Sequence, residues 1–331
     1  MTIKDLSRET GYSVGTVSRV LNNHPNVSDK ARKTILAAIA RSHFERNENA
    51  RILKKGKNEG ILAIVKGRRN ELFAQIIEHL QHFFAKTEYS LMVNYFDETE
   101  NEVLQAIQMC ALRKPQGLLF LGGNGKNFLA DFGKIDIPAV LLTDNAAQLP
   151  FENLSSVFTD DTEAADCAVT HLIESGHRQI GIIGGDLNIS DTSKLRFEGC
   201  MHAMARHGLS PLSYQQALFS YDSGYQAMQN MLRSGKIPTA VFAMSDVMAI
   251  GAIRAIRDAQ LHVPEDVSVC GFDGLDISNY IDPCLTTIRQ DSEQIALHGA
   301  KRLIANIERQ RAAAHEIIPF ALRSRGSVKI L

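Results

Sequence analysis

Ser13-Val14-Gly15-Thr16-Val17-Ser18-Arg19-Val20-Leu21 decides how the start of this 331-residue chain folds. Val17, Val20 and Leu21 stand at i, i+3 and i+4 and make one apolar stripe, with Ser13 placed to cap the helix. The remaining face carries Gly15, Thr16, Ser18 and Arg19. A second helical pattern lies before Gly11, from Thr2, placed to cap the amides of Ile3-Lys4-Asp5, through Leu6 to Glu9. One face docks and the other presents small residues and an arginine, which is the layout of a helix-turn-helix facing a DNA groove. Asn22-Asn23-His24-Pro25-Asn26 reads as a turn. A third helix is expected from Ser28 to about Ser42, with Ile35, Leu36 and Ile39 closing a core with Leu6, Val17 and Leu21.

Charge supports a nucleic-acid partner. Residues 1–57 hold 12 Lys/Arg against 5 Asp/Glu, and the rest holds 24 against 32. A basic module on an acidic body suits a phosphate backbone, because Lys and Arg release condensed counterions. Arg19 can fork onto a guanine edge or clamp a phosphate, and Thr16 offers a hydroxyl and a methyl to base edges. Ser13, Ser18, Asn22 and Ser28 suit phosphate positioning, although Ser13 and Ser28 could equally be caps alone. Tyr12 is expected to pack against the helix.

From Gly60 the pattern changes. Strands are expected at 60–65, 90–95, 117–121, 139–143 and 156–159, with helices at 72–84 and 100–112 between them. A second series has strands at 179–183, 215–219, 239–243 and 267–272 and helices at about 163–174, 195–207, 225–232 and 246–259. Short apolar strands alternating with helices predict an α/β fold with parallel, doubly wound sheets. Two series predict two subdomains with a cleft between them. Ligand sites in such sheets lie beyond the C-terminal strand ends. Those ends carry Asp144, Asp160, Ser245-Asp246 and Asp273, with Asp246 open to a second reading as a helix cap.

Other chemistry finds little support. Gly122-Gly123-Asn124-Gly125 lacks the spacing and Lys-Ser/Thr ending of a nucleotide loop, and no Gly-x-Ser-x-Gly or His-Glu-x-x-His motif occurs, so no enzyme is expected. The five cysteines (110, 167, 200, 270 and 284) form no C-x-x-C pair, imply neither a disulfide framework nor a zinc site, and suit a reducing compartment. With no long apolar run and no signal-like start, the chain is expected to be cytoplasmic with no membrane partner, no metal and no cofactor.

Thr2-Ile3-Lys4-Asp5 and Ser18-Arg19-Val20-Leu21-Asn22 resemble the DNA-binding domain of the lactose/galactose-repressor family of bacterial transcription regulators. The resemblance continues through His171-Leu172-Ile173-Glu174-Ser175-Gly176-His177-Arg178 and the run Val263-Pro264-Glu265-Asp266-Val267-Ser268-Val269-Cys270-Gly271-Phe272-Asp273. It extends to Pro283-Cys284-Leu285-Thr286-Thr287-Ile288-Arg289-Gln290, and so over essentially the whole chain. It implies a helix-turn-helix domain (1–46), a hinge helix and linker (47–57) and a periplasmic-binding-protein-like core (58–331). The core's first subdomain would be 58–158 plus 288–315, and its second 159–287 plus 316–331.

By the same resemblance Val14 and Gly15 discriminate operators, and Leu53 is the minor-groove wedge of the hinge with Lys54 the basic residue after it. Arg46 stands where a proline is common, and Glu48 where a small residue is. Arg196, in the stretch containing Thr192, matches an effector-binding arginine. Phe219 and Phe73 match rings that cover the ligand. The implied protein is a homodimer that represses a sugar-utilisation operon from a palindromic operator and is released by a small sugar. Ile189-Ser190-Asp191 is similar to galactose-responsive members. A nucleobase- or nucleoside-responsive regulator, or a co-repressed one, is the alternative. Apolar helix faces at 72–84 and 249–256 are expected to supply dimer surface.

Overall fold

The computed structural model describes residues 3–21, 27–42, 60–68, 70–309 and 312–331, and the chain divides into two compact units, Met1–Asn58 and Glu59–Leu331. The expected hinge with Leu53 and Lys54, and the turn residue Asn22, lie outside the described residues.

The first unit holds α1 (Ile3–Thr10), α2 (Val14–Leu21) and α3 (Asp29–Ser42). Gly11 turns the chain between α1 and α2 with a φ of 71°, a left-handed backbone that glycine adopts without strain. Leu6, Val17, Val20, Ile35 and Ala38 form the core, with Tyr12, Val27 and Ile39 packed on it. Leu36 was expected inside and is 49% exposed. Ile35, Ala38 and Ile39 already fill the inward stripe of α3, so Leu36 falls on its outer face.

The second unit has two six-stranded sheets. The first combines β1 (Gly60–Lys66), β2 (Ser90–Phe96), β3 (Gly117–Leu121), β4 (Ala139–Leu142), β5 (Leu154–Phe158) and β11 (His315–Ile317) in the order β11-β5-β4-β3-β1-β2. All of its pairs are parallel. The second combines β6 (Ile180–Gly184), β7 (Ser213–Gln216), β8 (Ala240–Ala243), β9 (Ser268–Asp273), β10 (Thr286–Arg289) and β12 (Ala321–Arg323) in the order β12-β10-β9-β8-β6-β7. Here β12 joins the edge antiparallel.

Helices cover both faces of each sheet, as parallel strands require. The first lobe uses α4 (Glu71–Phe84), α5 (Glu102–Arg113), α6 (Gly125–Asp131) and α11 (Ser292–Arg309). The second uses α7 (Asp161–Glu174), α8 (Asp191–Arg206), α9 (Tyr221–Arg233) and α10 (Asp246–Asp258). Two apolar cores result per lobe, one on each side of its sheet.

Three expectations shift. Ile288 and Arg289 belong to the second sheet and Glu316 and Ile317 to the first, so those changeovers come later than 287/288 and 315/316 because strand pairing continues past them. Strand β7 ends at Gln216, ahead of the expected 219, because Ser220 caps α9 and pulls the chain out of the ladder. The apolar faces of 72–84 and 249–256 are spent inside: Leu72, Ile76, Leu80, Ala249, Ala252 and Ile256 are all buried in the lobes' own cores.

Candidate functional site

In the first unit, Ser13 Oγ accepts the amide of Thr16 at 3.2 Å and lies 3.0 Å from the Thr16 hydroxyl. Ser28 Oγ accepts the amide of Ala31 at 3.4 Å. Both serines thus cap their helices. The outer side of α2 presents exposed Gly15 and Arg19 beside half-buried Val14, Thr16 and Ser18. Arg19 makes no ion pair among the described residues, so its guanidinium fork is available. Arg41 reaches Glu9 at 3.6 Å and ties α3 to α1, away from that face.

The second unit holds a cleft of about 250 Å³ between its lobes. Its floor is made by the C-terminal ends of strands and the loops that follow: Lys66, Glu98, Gly122, Thr143 and Asp144 from the first lobe, and Asp186, Phe219 and Asp273 from the second. Two of these residues have unusual backbones. Thr143 has a φ of 75° and Asp273 of 112°, conformations that side chains with a Cβ rarely adopt. Such strain, placed at two facing strand ends, marks positions that the surrounding fold overrides.

Polar groups converge on Arg196, which is 4% exposed. Its Nε donates to Asp161 at 2.7 Å, its Nη1 donates to the Met244 carbonyl, and Nη1 lies 3.8 Å from Asp273. The guanidinium stacks 3.7 Å over the Phe272 ring centroid. Asp273 also accepts Gln290 Nε2 at 2.8 Å. Asp144 accepts the Thr192 hydroxyl at 2.7 Å across the cleft. Burial pushes the carboxyls of Asp144 and Asp273 up to about 7, against the lowering pull of the Thr192 hydroxyl and of Arg196 respectively.

Apolar wall comes from Leu72, Phe73, Ile189, Leu218 and Phe219. Gly122, with a φ of 76°, sits under Phe73 so closely that an added Cβ would lie 3.0 Å from the ring. Phe73, Asp144, Thr192, Arg196, Phe219 and Asp273 therefore share one cavity.

Asp246 does not belong with them. It is fully buried behind the cleft, where it accepts the Thr287 hydroxyl at 2.5 Å and the Leu275 amide at 2.7 Å. Nor is it a cap: Ser245 caps α10 by accepting the Met248 amide. Asp246 holds the segment after Asp273 in place, and burial beside Asp273 raises its carboxyl well above the usual range. Asp160 likewise caps α7.

The sequence reading missed Asp161, the nearest charged partner of Arg196. Its only signal was the Asp160-Asp161 pair after a strand, where one carboxylate caps and the next turns inward. It also missed the rim. The Asn124 side chain donates to the Ile189 carbonyl, Gly125 N donates to Asp191 at 2.6 Å, and Lys126 Nζ donates to the Asn188 carbonyl at 3.3 Å. At another edge Tyr221 donates to Glu71. The glycine-rich run 122–125 is thus a lobe-to-lobe contact as well as a loop after a strand.

Residues 2–47 match the family model described as bacterial regulatory proteins, lacI family, and residues 169–328 match a periplasmic binding protein-like domain. MalR of Clostridium butyricum, an HTH-type transcriptional regulator, is 33% identical, with 99% of each chain covered. The lac repressor dimer bound to operator and the anti-inducer ONPF superposes with a TM-score of 0.86 at 27% identity, covering 99% of both chains. The transcriptional regulator CelR in complex with cellobiose gives a TM-score of 0.71 at 25% identity, again with 99% of both chains covered. Fold and relatives together define a DNA-binding transcriptional regulator with a cleft in its core. The chain belongs to the lacI family of bacterial regulatory proteins.

Proposed function

We propose that the protein represses a sugar-utilisation operon from a palindromic operator and that a small sugar of galactose type, bound in the core cleft, releases it. One observation carries the reading: Phe73 and Phe219 line the same cavity as Asp144, Thr192, Arg196 and Asp273. Ring faces pack on the apolar side of a pyranose while carboxylates and the guanidinium take its hydroxyls. The CelR–cellobiose complex, a structure of the same fold, supports a sugar as the ligand class.

In this reading Arg19 and Thr16 meet base edges, Val14 and Gly15 let the backbone approach, and Ser18 positions a phosphate. One helix-turn-helix makes few contacts, so two half-sites read by a homodimer are required, as in the operator-bound lac repressor dimer. To act as inducer the sugar must bind the DNA-free state more tightly than the DNA-bound one. A thermal-shift screen of galactose, cellobiose, ribose, adenine and hypoxanthine tests the effector class, since a ligand of the folded cleft raises the melting temperature. Asp273→Ala is expected to keep operator affinity and lose the response to the sugar found. A mutant that responds like wild type would remove Asp273 from the site.

A further inference from the structure

We propose that the effector carries a cationic amino group and that Asp144 is its counter-ion in the cleft; the proposal rests on the sugar reading and narrows it to an amino sugar. Glu98, Asp144, Asp186 and Asp273 face the cavity, against Lys66 and Arg196. Both cations are already engaged. Lys66 Nζ lies 2.8 Å from Glu102, whose carboxylate is fully buried and also accepts the Asn124 amide at 2.6 Å. Arg196 serves Asp161 first and Asp273 second. Among the described residues, Asp144, Glu98 and Asp186 have no cation within ion-pair distance.

Asp144 is the best placed of the three. It is 7% exposed and lines the cavity, and its partners are two hydroxyls, Thr192 at 2.7 Å and Thr143 at 3.4 Å. An ionised carboxylate has about four acceptor sites, so at least one stays open for a donor from the ligand. Burial raises its proton affinity most and the Thr192 hydroxyl lowers it; of the charged groups around it, Asp161 on α7 and Asp191 on α8 raise it further and Arg196 on α8 lowers it. Its proton is therefore loosely held near neutral pH, and an ammonium arriving at hydrogen-bond distance takes the proton's place. A charge-assisted bond of that kind, in a water-poor cleft, is stronger than one from a neutral hydroxyl. Among the described residues, a uronate or sugar phosphate would meet four carboxyl groups and two cations that are already engaged.

The test uses the full chain with galactosamine, glucosamine, galactose, glucose and galacturonate, read by calorimetry and melting temperature at fixed salt. Each amino sugar is expected to bind at least ten times more tightly than its parent hexose, with proton release visible as a buffer-dependent heat, and galacturonate is expected not to bind. Asp144→Asn should bring the amine-to-hexose ratio close to one. Glu98→Gln, at a half-buried position, should lower that ratio about threefold and serves if Asp144→Asn does not fold. Hexoses binding as tightly as their amines, or any binding of galacturonate, overturns the cationic effector and leaves the sugar reading standing. An amine preference that persists in both variants overturns the role of Asp144. No response to any sugar, with a nucleobase raising the melting temperature, overturns the sugar reading itself and this proposal with it.

Discussion

Gly15 has no conformational reason to be glycine. It lies inside α2, its φ is not left-handed, and an added Cβ would touch only Ser13 Oγ at 3.7 Å. Glycine at such a place costs a helix about 1 kcal/mol relative to alanine. Gly15→Ala is therefore expected to stabilise the first unit by about 0.5–1 kcal/mol. It should also weaken operator binding, because the methyl holds α2 off the groove. Thermal unfolding and an operator titration at one salt concentration check both, and unchanged affinity would place Gly15 outside the reading face. Asp144 makes the matching case in the core. Its carboxyl is lifted to about 7 by burial, so the folded chain keeps a proton that the unfolded chain has already lost. Stability from the neutral acid is full below about pH 4, the unfolded value, and is lost as pH rises through the folded value. Asp144→Asn keeps the shape without the charge. Its unfolding midpoint should exceed that of wild type at pH 8, and the gap should close towards pH 5.

At the scale of elements, α9 and α10 touch backbone to backbone. A Cβ on Gly224 would stand 2.4 Å from the Met248 carbonyl, and one on Gly251 would stand 2.1 Å from that of Tyr221. Gly251→Ala is expected to destabilise the core unit by about 1–3 kcal/mol, since the clash outweighs the gain in helix propensity. A urea midpoint that rises would show that the helices can separate at no cost. This contact was invisible in the sequence, where Gly251 read as one more small residue on an apolar helix. Legibility followed the period of the apolar residues: all nine expected core strands exist, and their alternation with helices gave the doubly wound fold. Helix starts were read late wherever the first turn is polar. The patterns expected from 163, 195 and 225 begin at Asp161, Asp191 and Tyr221, because Asp160, Ser190 and Ser220 cap them. Those polar first turns are where Asp161, Asp191 and Thr192 enter the cleft or its rim. Cleft carboxylates at strand ends were legible from position alone. Which of them faces the cavity was not, since Asp144 and Asp246 both follow apolar strands and only burial against Thr287 and Leu275 separates them.

At the scale of the core as a whole, the chain passes between lobes three times, after β5, after β10 and after β11, and these passages alone would let the lobes turn on each other. What holds them at one angle is the rim and the cleft: Asn124 to Ile189, Gly125 to Asp191, Thr192 to Asp144 and Tyr221 to Glu71. Val247 and Leu275 of the second lobe also pack into the first lobe's core. An effector that binds between the lobes then gains from every contact that keeps them together, because the binding-competent angle is already populated. Asp191 is the rim residue whose loss removes one such contact without altering the cavity wall, which it does not line. Asp191→Ala gives up a carboxylate-to-amide bond of about 1–2 kcal/mol. The effector found in the screen should therefore bind several-fold more weakly, and the ligand-free core should scatter with a larger radius of gyration than wild type. Saturating effector should bring the two scattering profiles together, since the cavity contacts themselves are intact. An affinity equal to that of wild type would mean that the packing of Val247 and Leu275 fixes the lobe angle unaided, and that the rim bonds form as its consequence.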